Sequence, residues 1–168
     1  LGNGALDAAT TGGRNIAIGQ DAMGSGVATA ASGDNIAIGY QAGYDLTSGI
    51  DNVLIGDSAG ANITTGWANV AIGKESLLSY NGDRSVAIGE GAARNWTGGQ
   101  TNVVIGGLAG GIGANSTGAN NTIIGDVAGY SIANGSDNVF VGAAAGDATT
   151  TGSNQIVIGK SADASSAT

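Results

Sequence analysis

The sequence predicts an all-β fold, a β-solenoid of about 17 residues per coil, on three observations. A five-residue motif, Asn-[Ile/Val]-x-Ile-Gly, recurs along the whole chain. Its closing glycines fall at near-constant intervals. Each motif is followed by a small-residue pair and then a Gly-bearing turn. The motif reads NIAIG at 15–19 and 35–39, NVLIG at 52–56, NVAIG at 69–73, SVAIG at 85–89, NVVIG at 102–106, NTIIG at 121–125, NVFVG at 138–142 and QIVIG at 155–159. Successive glycines, from Gly19 to Gly159, are spaced 20, 17, 17, 16, 17, 19, 17 and 17 residues apart. A period of this length marks a solenoid, because one repeat cannot bury its own apolar face and stacked repeats can.

Each element of the coil has a local reason. β-branched residues dominate the motif, as a pleated strand prefers. The apolar runs are too short and too interrupted by Gly for helices. The second half of the coil carries an Ala-Gly pair, as in Ala42-Gly43, Ala59-Gly60 and Ala109-Gly110, and then an apolar position at Leu46, Ile63, Tyr80, Trp96 and Ile132. A turn follows, as in Ser48-Gly49 and Thr65-Gly66. Two short strands and two tight turns per coil are expected. Nine to ten coils at roughly 4.8 Å give a rod about 45 Å long. Alternation places the first and third apolar residues of the motif on one face. Ile16 with Ile18 and Val70 with Ile72 are expected inside the coil, meeting Leu46, Ile63, Trp96 and Ile132 from the second strand. The motif glycine is expected at a turn or at a crowded position that a Cβ would obstruct. The leading Asn suits either a stacked amide ladder or the turn before a strand, and the two are compatible.

The middle column of the motif is then expected to face away from the coil. It reads Ala17, Ala37, Leu54, Ala71, Ala87, Val104, Ile123, Phe140 and Val157, with no polar residue. A strand apolar on both faces is buried on both. Every segment of the chain belongs to the repeat, so the expected cover is another copy of the same chain. These nine residues are the predicted subunit interface. Growth of the side chains toward Phe140 predicts subunits that splay apart at that end.

Composition excludes several classes. The chain of 168 residues has no Cys and no His. Disulfide frameworks, thiol nucleophiles, Ser-His-Asp triads and the usual zinc clusters are therefore excluded. Gly makes up 33 residues without a G-X-Y period or any Pro, so the chain is not collagen. Thirteen acidic residues against five basic ones give a net charge of −8. The cations Arg14, Lys74, Arg84, Arg94 and Lys160 are scattered, so no footprint for nucleic acid or an anionic membrane is visible. No apolar run is long enough to span a bilayer. Leu1-Gly2 fits the tail of an earlier repeat, since Gly2 lies 17 before Gly19. The expectation is one repeat domain over 1–168, cut from a longer fibre protein.

On these residues the chain resembles two groups. NIAIG, NVAIG and SVAIG resemble the NSVAIG-type repeats in the heads of trimeric autotransporter adhesins. The longer form, G-x-x-N-x-A-I-G-x-x-A-G, is similar to repeats in phage tail-fibre proteins. The resemblance covers essentially the whole chain. It implies a left-handed parallel β-roll, a homotrimer about one axis, and an extracellular role in attachment on a bacterial or virion surface. The period of 17 and the bulky Phe140 depart from the adhesin pattern. The implied function is a non-enzymatic structural or adhesive fibre segment whose partner is a host-surface receptor or glycan. Alternatives are a self-assembling filament and an ice-binding solenoid. End-to-end joining would place Gly159 and the next Gly2 only 11 residues apart, out of phase. Thr10, Thr47, Thr64, Thr97 and Thr150 recur near turns without a flat Thr-x-Thr face.

No enzyme, cofactor or metal site emerges. Asp21, Asp57, Glu90 and Asp126 recur at similar places but suit a solvated rod surface better than a glycosidase pair. The GGxGxD calcium pattern is missing, as are the G-K-[ST] signature and following helix of a phosphate loop. Two longer coils, around 24–32 and 111–116, are Gly/Ala/Ser-rich, with Val27 and Ile112 as their larger aliphatic anchors. The candidate ligand contacts are the aromatics Tyr40, Tyr44, Trp67 and Tyr130, with Trp96 assigned to the core.

Overall fold

The computed structural model describes residues 2–6, 13–25, 33–111 and 116–163. Nine three-residue strands form one parallel sheet in chain order. They are β1 (Ile16–Ile18), β2 (Ile36–Ile38), β3 (Val53–Ile55), β4 (Val70–Ile72), β5 (Val86–Ile88), β6 (Val103–Ile105), β7 (Thr122–Ile124), β8 (Val139–Val141) and β9 (Ile156–Ile158). Each coil lays its motif on the one before, and like positions pair: Ala17 with Ala37, Leu54 with Ala71, Phe140 with Val157. The protein is a β-solenoid. The extra residues of the two longer coils do not disturb the register of β1 on β2 or β6 on β7. Val27 and Ile112 lie outside the described residues.

The alternation holds, but the faces are exchanged relative to expectation. The middle column is the core. Ala37, Leu54, Ala71, Ala87, Ile123 and Phe140 are fully buried, and Ala17, Val104 and Val157 nearly so. The first and third positions point outward instead. Parity with Asn is the reason. The motif Asn stands two residues before the middle position, so both share a face. That Asn is buried: Asn52 accepts the backbone N–H of Asn69 at 3.0 Å, donates to the Asn35 side-chain oxygen at 3.0 Å, and donates to the Gly66 carbonyl at 2.9 Å. The pattern continues from Asn102 through Asn121 to Asn138. An amide ladder needs stacked partners away from water, and here it runs inside the coil. The predicted splaying falls with the same correction, because the growth toward Phe140 is internal.

The ladder is interrupted once, and the gap is filled. Ser85 takes the Asn place and accepts the Asn102 backbone N–H at 3.1 Å. It is too short to reach the carbonyl that an Asn amide would serve. The Tyr80 hydroxyl does so, donating to Gly99 at 2.9 Å and lying 2.6 Å from the Ser85 hydroxyl.

The second half of the coil is a stack of turns rather than a strand. Left-handed residues alternate with right-handed ones: Ser58 has φ 56° and Gly60 φ 58°. The bends stack through bonds such as Gly60 N–H to Ser76 at 2.9 Å. The predicted interior column is confirmed, with Leu46, Ile63, Tyr80, Trp96 and Ile132 all buried. Trp96 satisfies its indole N–H on Gly110 at 2.7 Å. The crowding expected at the motif glycine is also present. Gly56 has φ 138°, and a Cβ there would lie 2.6 Å from the Gly73 carbonyl oxygen.

Core volume is balanced coil by coil. The position four after the motif glycine is Gly beside bulky middle residues: Gly60 by Leu54, Gly110 by Val104, Gly129 by Ile123 and Gly146 by Phe140. Where the middle residue is Ala, that position is often larger: Met23 in the coil of Ala17, Leu77 in that of Ala71. A Cβ at Gly146 would sit 2.7 Å from the Phe140 ring. Ala71→Leu is expected to overfill its coil and cost about 1–3 kcal/mol. Adding Leu77→Gly, which also relieves a φ of 48°, is expected to recover most of that loss. Denaturant unfolding of the two single variants and the double variant checks the coupling.

Burial pushes the Tyr80 phenol above its ordinary range, against a smaller opposite effect of the Ser85 hydrogen bond. The native state therefore holds this proton more tightly than the unfolded chain. The resulting stability is complete below about pH 10 and is lost as pH rises through the higher native value. Chemical denaturation from pH 8 to 11 is expected to show a decline in stability that Tyr80→Phe reduces.

Candidate functional site

The exchange of faces moves the exposed apolar column. The first and third motif positions form two parallel files on the outer face of the sheet, from Ile16 to Ile156 and from Ile18 to Ile158. Every position in both files is Ile or Val except Thr122. In the central coils these residues are half-buried by their own stacking, and toward the ends they open, with Ile16 at 48% and Ile156 at 75% exposure. Nine strands at about 4.8 Å make a stripe roughly 38 Å long. The register does not shift along it.

Exposed residues flank both sides. Before each motif stand Arg14, Asp34, Asp51, Arg84 and Asp137; after it stand Asp57, Lys74, Glu90, Asp126 and Lys160. Arg14 and Asp34 are bridged at 2.6 Å, and that contact holds the Asp34 carboxyl below its usual range. The nine residues predicted as the interface are thus not on this surface. Their neighbours on either side are.

Of the predicted ligand contacts, Tyr40 is exposed, on the edge after β2. Trp67 lies on the opposite edge, 40% exposed, with the Arg84 guanidinium 5.2 Å from its ring centroid. Arg84 is held in turn by Gln100 at 3.0 Å, so one face of the indole is occupied by the protein's own cation. Tyr44 and Tyr130 are half-buried on the turn side of the coil, each six residues after the last residue of its strand. The structure does not bring the four aromatics together. Tyr130 lines a groove, of about 340 Å³, with Leu108, Val127, Ser131 and Asp147.

The acidic residues are not assembled either. Asp57, Glu90 and Asp126 stand in alternate coils, while Asp21 occupies the next position along. Among the described residues, no group of three acidic side chains is placed to hold a metal ion. Thr47 donates to the Thr64 carbonyl, and the Thr64 hydroxyl to Asn81, both at 2.9 Å. They serve the turns, and Thr10 lies outside the described residues.

Comparison with protein-family models, curated proteins and solved structures finds no match.

The outer files predict a clean contrast between neighbours in one strand. Ala71→Asp buries a carboxylate in the coil and is expected to unfold the domain or cost several kcal/mol. Ile72→Asp, one residue on, is expected to preserve the far-UV circular dichroism spectrum. Spectra and melting curves of the two variants check this.

Proposed function

We propose that this chain is a non-enzymatic structural and adhesive segment of an extracellular fibre, in which three copies pack side by side about a common axis. A bacterial adhesin head and a phage tail fibre are the settings that the repeat resembles. The observation that carries the reading is the aliphatic stripe on the outer sheet face, in which Thr122 is the one polar residue among eighteen positions. An apolar surface of this length and regularity marks an interface. A partner with the same repeat matches it coil for coil, so a second copy of the chain is the natural cover. The number three, the extracellular setting and the attachment role rest on the resemblance of the repeat.

The flanking charges favour parallel copies. Laid antiparallel in full register, the stripe would set Arg84 against Arg84, Glu90 against Glu90, Asp34 against Asp137 and Asp57 against Asp126. Laid parallel at equal height, it sets Arg84 against Glu90, with Asp51 against Asp57 as the one like-charged pair. Like charges face to face oppose association. The mechanism is mechanical. Stacked coils give length and stiffness, the stripe joins the copies, and any surface contact is presented three times.

Light scattering on the eluting protein is expected to give three chains of 16.0 kDa, about 48 kDa. The double variant Ile55→Asp/Ile72→Asp is expected to elute as a folded 16.0 kDa monomer. A wild-type monomer would overturn the reading. A mass that grows with concentration would point instead to end-to-end filaments.

A further inference from the structure

We infer that the groove between Leu108, Val127, Tyr130, Ser131 and Asp147 binds a neutral pyranose sugar. This deepens the attachment reading by giving it a site and a ligand class. Its volume, about 340 Å³, falls at the small end of ligand pockets and suits one or two sugar rings rather than a folded partner.

The groove is a local departure from the repeat. Two residues after the motif glycine, the five earlier coils place Asp21, Gln41, Ser58, Glu75 and Gly91. The sixth and seventh coils place Leu108 and Val127 there, side by side and partly exposed. Both have a φ of 50°, imposed by the stack through Leu108 N–H to Glu90 and Val127 N–H to Gly107, each 2.8 Å. Ordinary side chains are uncommon at such angles, and a β-branched one is an outlier. The same place has a φ of 51–56° at Asp21, Gln41, Ser58, Glu75 and Ala144, so the backbone belongs to the repeat and the departure lies in the side chains it carries. Nothing in the coil requires Val here, since Ala144 and Ser161 hold the same place later.

The chemistry of the lining selects the ligand. Leu108, Val127 and the Tyr130 ring form an apolar floor for the C–H face of a pyranose. Asp147 and Ser131 stand at the rim as acceptor and donor for hydroxyls, joined through the Ser131 N–H to the Asp147 carbonyl at 3.2 Å. No hydrogen bond from a described residue occupies the Asp147 carboxylate. Among the described residues, no Lys or Arg lines the groove, so a sialic or uronic acid would meet a carboxylate with nothing to offset it. Tyr44 is an internal control. It occupies the place of Tyr130 in its own coil, but the places of Leu108 and Val127 are taken there by Asp21 and Gln41, which offer no apolar floor.

The test is saturation-transfer NMR on the whole chain with methyl glycosides of glucose, galactose, mannose, N-acetylglucosamine and N-acetylgalactosamine, and with the methyl glycoside of N-acetylneuraminic acid. At least one neutral glycoside is expected to receive saturation. The signal is expected to fall at least fivefold in Tyr130→Ala and in Val127→Ser, and to persist in Tyr44→Ala. Circular dichroism and elution mass on each variant separate loss of the site from loss of the fold. No transfer to any neutral glycoside, transfer only to the sialoside, or an undiminished signal in Tyr130→Ala would overturn the inference. Light scattering keeps the two readings apart: sugar binding by a monomer would sink the fibre and leave the groove, and an oligomer without sugar binding would do the reverse.

Discussion

The rest of the structure depends on the buried asparagine ladder. From Asn35 to Asn138 each motif Asn presents its oxygen to the next coil's backbone N–H, and in places also to the next side-chain amide, and donates one N–H to a turn carbonyl. These groups satisfy each other only when the coils stack in register and the column lies inside. A stranded buried donor or acceptor costs about 1–3 kcal/mol, so a slip of one residue would be penalised at every coil at once. The ladder therefore fixes the register and also which face of each strand is interior. The middle residue goes in with the Asn, and the Ile and Val on either side go out. Where the ladder lacks an Asn, at Ser85, a tyrosine hydroxyl from the preceding coil supplies the missing donor, which shows how closely the interior holds to this hydrogen-bond pattern.

With the Asn inside, the remaining interior is narrow. It takes one Ala column from the turn side, the middle column from the strand, and whatever the fourth position after the motif glycine leaves free. This explains why bulk at Leu54, Ile123 and Phe140 comes with Gly60, Gly129 and Gly146. The aliphatic residues, displaced outward, form the stripe on which the functional reading rests. One constraint thus connects the core chemistry to the surface. The polar interior column is what makes the outer surface apolar.

Much of this was legible in the sequence. The period, the stacking, the parallel order and the interior place of Leu46, Ile63, Trp96 and Ile132 follow from spacing alone. The side of the strand did not, because alternation separates two faces without saying which is in. Ile and Val, the bulkiest and most apolar residues of the motif, look by composition like core residues, yet they lie outside. Two signals pointed the other way: the Asn shares the parity of the middle residue, and middle-residue size varies against the Gly or Leu four places after the motif glycine. The turn-rich second half was misjudged for another reason. Residues such as Leu77 and Val127 have no intrinsic preference for a left-handed backbone, and only the hydrogen bonds between coils impose it. Trp67 was visible as a surface aromatic, but its pairing with Arg84 joins residues 17 apart across the coil stack. The groove at Tyr130 depends on two neighbouring coils departing from the repeat together, which a reading of the average motif smooths away.

The central claim is that the stripe between copies is built from the first and third motif residues, with the middle residue sealed in its own coil. The chain has no cysteine, so single cysteines report without interference. The most direct measurement is oxidative cross-linking of a Val70→Cys/Ile72→Cys double variant and of Ala71→Cys under native conditions. The account predicts disulfide-linked chains joined between positions 70 and 72, and a thiol at position 71 that neither cross-links nor reacts with maleimide until the protein unfolds. Cross-linking through position 71 with none in the double variant would contradict it.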